Sequence, residues 1–192
     1  MSKEKIVNMF SEKELIDRCA AGERAAQQVL YDRYCRRLMA VCMRYAKNEG
    51  EAEDILQEGF LKIYDHIKTF RSESSLGTWM TRIVINTALN SQRQKLYMLP
   101  MVDVEQAGLR EDEEISLSDF HLNELIAMIQ SLPSGCRVVF NLFAVEGYAH
   151  REIAEMLGIS EGTSKAQYSR AKKLLRAKIE NVKKDYGRLG EK

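Results

Sequence analysis

The sequence has few of the residues that mark disulfide-rich secreted proteins or metal-binding proteins. Its 192 residues include two prolines, one tryptophan and four cysteines. The cysteines show no close pairing with one another or with the three histidines, so the sequence indicates neither a zinc site nor a disulfide framework, and no cofactor is expected. We expect reduced, mostly buried thiols. These residues are Cys19, Cys35, Cys42 and Cys136, with His66, His121 and His150.

Long hydrophobic runs are also missing. No apolar run approaches the roughly 20 residues that a membrane span requires, and the N-terminus carries no hydrophobic signal core. We therefore expect a cytoplasmic protein without direct membrane insertion. The sequence has no phosphate-binding glycine loop, no metal cluster and no plausible nucleophile–base pair, which argues against an enzyme and against a small-molecule substrate.

The residues that are abundant favour helix almost throughout. Long windows are rich in Ala, Leu, Glu, Lys, Arg and Met, and alternation of β-branched residues is rare. The length and the 45% of hydrophobic residues are sufficient for two small cores. The sequence therefore predicts an all-α protein of two small helical domains.

Charge alternates along the chain although the net charge is only +1. Residues 1–95 carry 16 cations against 13 anions, residues 96–124 carry 1 against 8, and residues 125–192 carry 12 against 7. Residues 96–119 also contain Pro100, Gly108 and few apolar side chains, which is typical of a flexible acidic linker. Such asymmetry suggests nucleic acid or a charged partner.

Four helices are predicted before the linker. Ser11 and Glu14 form a capping-box pattern for the first helix, and the second runs over residues 23–47. A turn at 48–50 precedes a third helix that reaches about Ile67, and the fourth covers about 78–95. After the linker, helices are predicted over 122–130, 135–144, 150–157 and 161–183.

The stretch 151–160 has the pattern of a helix-turn-helix. Gly158 can take the positive φ of a tight turn, the small Ala154 allows a close crossing, and Ser160 caps the next helix. Between Ser160 and Lys178 there are six cations and one anion. This indicates a helix that faces DNA, although a solvated basic surface helix would have the same composition. The predicted contacts are Arg151, Ser160, Thr163, Lys165, Ala166, Gln167, Ser169, Arg170 and Lys173.

Motifs in both halves resemble the extracytoplasmic-function (ECF) sigma factors of the sigma-70 family. In the first half they are residues 54–64, Phe70 and residues 78–86. In the second half they are Leu132 and Pro133, 137–140, 146–148, 152–154, Gly158 and 161–163. The resemblance covers nearly the whole chain outside the linker. The large middle domain of housekeeping sigma factors has no counterpart in this sequence, which is typical of the short, two-domain class.

The resemblance implies a sigma factor that binds core RNA polymerase and opens promoter DNA. Sigma region 2 would cover residues 10–95, the acidic linker 96–119 and sigma region 4 residues 120–184. It also implies control by an anti-sigma factor. The implied polymerase contacts are Asp54, Gln57, Glu58, Leu61 and Asp65. The implied minus-ten contacts are Arg71, Ser74, Ser75, Trp79, Arg82, Asn86, Asn90 and Arg93, and region 4 would read the minus-thirty-five element.

Some alternatives remain open at the level of sequence. The acidic residues of the third helix are also what any helix N-terminus favours. Phe70 and Trp79 can stack on melted bases, but core packing suits them better, and residues 71–77 can be a plain surface loop. A helix-turn-helix regulator that binds DNA alone would explain the second half but not the motif over 54–86. Ser164, Gln167 and Tyr168 depart from the family pattern.

Overall fold

The computed structural model describes residues 10–97 and 122–189, and side chains over 10–91 and 123–182. These ranges contain helices and no strand, which confirms the all-α fold. The chain divides into two compact units, which we call unit 1, up to Ser91, and unit 2, from Gln92. Most of the predicted linker lies outside the described residues, and its first two positions, 96 and 97, are helical.

The described part of unit 1 contains three α-helices, one short 3-10 helix and most of a fourth α-helix that continues past Ser91. The first helix begins where the sequence predicts, because Ser11 Oγ accepts from the Glu14 backbone N–H at 3.3 Å. The Glu14 carboxylate in turn accepts a hydrogen bond from the Ser11 backbone N–H at 2.9 Å, which completes the capping box. The elements are α1 (Glu12–Ala20), α2 (Arg24–Tyr45), α3 (Glu49–His66), a 3-10 helix (Ile67–Thr69) and α4 (Leu76–Tyr97).

The start of α3 corrects the predicted turn at 48–50. Asn48 Oδ1 accepts from the Glu51 backbone N–H at 2.9 Å, so Asn48 is the N-cap and the two following residues are already helical. A capped N-terminus satisfies one of the backbone donors that a helix start leaves free, and Gly50 is tolerated in that first turn.

All four helices contribute to the core of unit 1, and α3 and α4 approach each other closely within it. A β-carbon added to Gly59 would lie only 3.0 Å from Val84 Cγ2. The missing side chain at Gly59 therefore lets α3 and α4 pack this closely. Burial of one apolar face of each helix drives the packing. The largest fully buried side chains of this unit are Leu15, Leu30, Leu38, Tyr45, Ile63, Ile67, Leu76, Met80 and Val84.

Over residues 122–189, unit 2 has four α-helices and one π-helix. Its elements are α5 (Leu122–Gln130), α6 (Ser134–Phe140), the π-helix (Asn141–Val145), α7 (His150–Leu157) and α8 (Glu161–Leu189). The sequence predicts a single helix over 135–144, but the Glu146 N–H bonds to the Asn141 carbonyl, five residues back. This bond closes a wider turn than an α-helix does, and such turns often mark functional segments.

Unit 2 has a core made by α5, α6 and α8. Met128, Leu132, Cys136, Ala171, Leu175 and Ile179 form it. The buried Arg137 donates from Nη1 to the carbonyls of Gln130 and Leu132, at 2.8 and 3.3 Å, and so ties the turn between α5 and α6 to α6 itself. A buried guanidinium needs such acceptors because its charge has left water.

Three of the four cysteines are buried, as predicted, and Cys35 is half-buried. Burial raises the pKa of Cys42 to about 12 and that of Cys19 to about 11. Thiols with raised pKa values carry little thiolate at neutral pH, so these two are packing residues.

Candidate nucleic-acid interface

One face of α3 combines acidic, amide and apolar side chains. Asp54, Gln57, Glu58, Leu61 and Asp65 fall within about 100° of the helix circumference at 100° per residue. We call these five residues the α3 face. All five are exposed, and Leu61 keeps 64% of its surface accessible. A large apolar side chain this open, within a ring of polar groups, is characteristic of a protein–protein contact and is not required by ordinary helix-start charges.

The α3 face is free to accept a partner. Its only ion pair among the described residues joins Glu58 to Lys62, one turn on, at 2.6 Å. Both side chains are open to water, where a pair of this kind contributes little stability. A cationic partner can therefore displace Lys62 at small cost.

The loop before α4 has an unusual backbone. Ser72 has a φ of +57°, which is uncommon for a residue other than glycine and fixes the direction of the loop. Arg71 and Ser75 are exposed, and Ser74 is half-buried. Ser75 Oγ accepts from the Thr78 backbone N–H at 3.2 Å, so this predicted DNA contact also holds the start of α4.

A polar stripe follows along α4. Trp79, Arg82, Asn86 and Asn90 fall within about 80° of the circumference. Arg82, Asn86 and Asn90 are exposed, and we call these three residues the α4 stripe. Arg93 continues the same line along α4, but its side chain lies outside the described residues. Two amides beside a guanidinium suit hydrogen bonds to base edges and to phosphate.

Phe70 and Trp79 contact each other near the N-terminal end of α4, just before the α4 stripe. Their ring centroids are 5.4 Å apart with planes inclined by 56°, and both side chains are half-buried. Offset, tilted aromatic pairs of this kind stabilise packing. The pair therefore joins the loop to α4 while leaving part of each ring at the surface.

Unit 2 contains the helix-turn-helix. Gly158 ends α7 in the left-handed region, with φ +68°, and the Ile159 N–H bonds back to the Ala154 carbonyl. Ser160 Oγ accepts from the Thr163 N–H at 2.9 Å and caps α8. The turn and the cap are the two features that the sequence predicts here.

The exposed side of α8 is basic. Lys165, Arg170 and Lys173 are exposed there, with the half-buried Ala166 and Ser169 between them, and we call these five residues the α8 stripe. Lys165 pairs with Glu161 at 2.6 Å. In α7, Arg151 is exposed and pairs with Glu155 at 3.4 Å. Both ion pairs are open to water, so these cations can exchange their carboxylate partners for phosphates.

Two of the predicted α8 contacts face partly inward. Thr163 is half-buried, and its hydroxyl bonds to the capping Ser160 at 2.8 Å. Gln167 is half-buried, and its Oε1 accepts from the buried Cys136 thiol at 3.0 Å. The Gln167 amide oxygen therefore helps fix α8 to α6.

A polar and aromatic cluster between α7 and α8 accounts for the departures at positions 164 and 168. Ser164 is completely buried, and its Oγ lies 2.9 Å from His150 Nδ1. The His150 ring stacks on Phe143 with centroids 4.2 Å apart, and Tyr168 closes the cluster 4.6 Å from Phe143. His150 supplies the partner that a buried hydroxyl requires, so the serine is accommodated without an unsatisfied group. The sequence alone does not show that Ser164 pairs with His150, because the two residues lie in different helices.

The cluster predicts that unit 2 loses stability in mild acid. Burial, together with Lys165, holds the pKa of His150 below its ordinary value of about 6.5, against the opposite pull of Glu161. As pH falls, the unfolded chain therefore binds the proton first. The stabilisation is complete above the unfolded-state pKa and is lost as pH falls from there through the folded-state pKa.

Urea unfolding of the full chain at pH 7.5 and pH 5.5 measures this effect. The His150→Phe variant keeps the aromatic stack but has no titrating ring, so it should lose less stability between the two pH values than the wild type. An equal loss in both proteins would contradict the prediction.

Within the described ranges, no group of three or more His, Cys, Asp or Glu side chains could hold a metal ion. Nor does any helix in these ranges combine the length and the hydrophobicity needed to cross a bilayer.

Comparison with known proteins shows similarity to one family in both units. The family model for sigma-70 region 2 matches residues 30–96, and that for sigma-70 region 4 matches residues 122–175. Together they cover more than half of the chain.

The "ECF RNA polymerase sigma-E factor" of Haemophilus influenzae is 28% identical over 191 residues, which span 91% of this chain and 98% of that protein. Its counterpart in Escherichia coli K12 is 28% identical over 183 residues, spanning 89% and 95%. A solved structure of the sigma factor RpoE with the anti-sigma factor NepR, from Bartonella quintana, is 20% identical with a TM-score of 0.49, covering 76% of this chain and 91% of that one.

Proposed function

The chain belongs to the sigma-70 family, in its group of ECF sigma factors, and from this membership we propose which surfaces bind core RNA polymerase and which read the promoter. It is a sigma factor that directs promoter-specific transcription initiation, a regulatory subunit of the polymerase and not an enzyme. Its proposed place of action is the cytoplasm, where the polymerase works. The proposal covers residues 10–95 as region 2, 96–119 as the acidic linker and 120–184 as region 4.

The α3 face is the proposed docking surface for core RNA polymerase. The observation that supports it is the exposed Leu61 among Asp54, Gln57, Glu58 and Asp65. An apolar centre with a charged rim is the usual anatomy of a protein interface, and the acidic rim suits a basic helical surface on the partner.

The α4 stripe and the loop at 71–75 are the proposed minus-ten surface. Asn side chains can bond in bidentate fashion to adenine or to bases that have left the stack, and Arg71, Arg82 and Arg93 can hold phosphates. Ser74 and Ser75, with their small side chains, leave room at the loop for a flipped base. The part of Trp79 that remains exposed lies between this loop and the stripe.

The α8 stripe is the proposed minus-thirty-five surface, with Arg151, Ser160, Thr163 and Gln167 around its edge. A helix-turn-helix places the start of its second helix in the major groove, and the cations of α8 neutralise phosphates on either side. The cap at Ser160 keeps the first turn of α8 in the geometry that this docking needs.

Changing both asparagines of the α4 stripe to alanine tests the minus-ten assignment. Each bidentate amide contributes about 1–3 kcal/mol of discrimination, so Asn86→Ala with Asn90→Ala should lower open-complex formation by about 30-fold or more. Both side chains are exposed, and the fold should be unchanged. Permanganate reactivity of promoter thymines in the reconstituted holoenzyme measures the loss.

Gln28→Ala is the matched control for the asparagine pair. Gln28 is an exposed amide on α2, and it bonds only locally, to Asp32 at 3.0 Å. The assignment fails if the asparagine double variant opens the promoter as well as the Gln28 control does.

An anti-sigma factor is the proposed regulator of this chain. Both units carry exposed surfaces that must remain open for initiation, namely the α3 face and the α8 stripe. A protein that covers either surface blocks the sigma factor without unfolding it. Pull-down with this chain as bait tests the proposal on co-encoded membrane or zinc-binding proteins. Failure of all of them to bind, with the α3 face intact, would count against it.

A further inference from the structure

An arginine on α2 reaches the start of α4, beside the proposed minus-ten loop. A β-carbon added to Gly77 would lie 2.8 Å from Arg37 Nη1 and 3.4 Å from Arg37 Cζ. Tyr34 Cε1, one turn earlier on α2, would lie 3.4 Å from the same added β-carbon, and the Tyr34 hydroxyl donates to Glu12 at 3.4 Å. The glycine thus leaves room for the guanidinium to lie against the first turn of α4.

Among the residues that the structure describes, no carboxylate pairs with Arg37 to explain its position by charge. Within the described ranges it forms no ion pair and no hydrogen bond, whereas the nearby Arg33 donates to the Phe10 carbonyl at 3.1 Å. Its side chain is exposed. Packing of the aliphatic stem on Tyr34 would account for the stem alone and not for a bare guanidinium at this loop.

We propose that Arg37 binds a phosphate of the promoter strand that enters the loop at 71–75. The proposal rests on the minus-ten assignment above and adds a contact from a second helix. Arg71 and Arg82 then hold the strand from the loop and from α4, and Arg37 holds it from α2. A phosphate contact positions the strand without reading its sequence, so Arg37 sets affinity and not base preference.

The salt dependence of promoter binding gives the test. The probe is a promoter fragment that wild-type holoenzyme opens, selected from a library randomised at both promoter elements. Each phosphate that a protein neutralises contributes about 0.7 to 0.9 to the log–log salt slope. Arg37→Gln should therefore lower the slope by about that amount and weaken binding by a similar factor on promoters with different minus-ten bases. Arg37→Lys should restore most of the slope because it restores the charge.

Arg36→Gln is the matched control, since Arg36 is the adjacent exposed cation on α2 and the change in charge is the same. Its slope should equal that of the wild type. The proposal is overturned if Arg37→Gln leaves the slope unchanged, or if Arg36→Gln lowers it equally. Failure to select any fragment that the wild-type holoenzyme opens would instead count against the proposed function, so the two failures are distinguishable.

Gly77→Ala moves Arg37 without removing it. The new methyl group meets the flexible end of the arginine, and alanine favours the helix, so the chain should stay folded. The variant should lower the salt slope when Arg37 is present and have no further effect in the Arg37→Gln background. Equal effects in both backgrounds would refute the contact.

Discussion

Replacing Asp54 and Glu58 with lysine is expected to weaken binding to core RNA polymerase by at least about 100-fold, equivalent to about 3 kcal/mol. Both carboxylates are exposed and flank Leu61, so the change reverses the charge of the α3 face without entering the core. Loss of the Glu58–Lys62 pair costs only about 0.3–0.5 kcal/mol, as is usual for exposed pairs at this spacing. The measurement is equilibrium binding of fluorescently labelled chain to purified core enzyme.

Glu49→Lys provides the control for this charge reversal. Glu49 is exposed at the start of α3 and lies about 140° around the helix from Asp54, on the far side from the α3 face. Its substitution should leave polymerase binding within about threefold of the wild type, with a small loss of helix stability from the reversed dipole contact. The assignment of the α3 face is wrong if the double variant, shown by circular dichroism to be folded, binds as tightly as this control.

Removing two cations from the α8 stripe should strongly weaken promoter binding. Arg170→Ala with Lys173→Ala removes two phosphate partners, so the log–log salt slope of holoenzyme binding should fall by about 1.8. The same holoenzyme should bind a promoter with a minus-thirty-five element about 10- to 100-fold more weakly, and the loss should be much smaller on a fragment without that element. Filter binding over a series of salt concentrations measures both quantities.

A cation elsewhere on α8 controls for net charge. Lys178 is half-buried and lies at least about 80° around the helix from every residue of the α8 stripe. Lys178→Gln should change the slope by less than about 0.5 if the cations act by direct phosphate contact. A fall of about 0.9, half of that expected for the double variant, would mean that α8 attracts DNA only through its total charge.

Local rules account for the parts of the fold that the sequence predicts well. The capping box at Ser11, the cap at Ser160 and the left-handed Gly158 each depend on residues within one turn of one another. Their side-chain chemistry therefore fixes the structure before any tertiary contact forms. The acidic and apolar pattern of α3 similarly determines which of its side chains face solvent, and the structure places all five residues of the α3 face there.

Features that depend on two distant segments could not be predicted in this way. The bond between Ser164 and His150 joins α8 to α7, and the approach of Arg37 to Gly77 joins α2 to α4. The sequence shows only an unusual serine and a glycine near a helix start. The π-helix at Asn141–Val145 was missed for a related reason. Its composition is compatible with an ordinary helix, and the wider turn is decided by how the segment packs.

The central claim is that this chain opens promoters only as part of RNA polymerase. Separating about ten base pairs costs on the order of 14 kcal/mol, which two small helical units that capture one or two bases cannot supply. Core polymerase must therefore hold the separated strands.

Permanganate probing of promoter thymines, with the chain and core enzyme added separately and together, tests this most directly. We expect reactive thymines and a defined transcript start only when both are present. Thymine reactivity with the chain alone, or no directed start when both are present, would contradict the account.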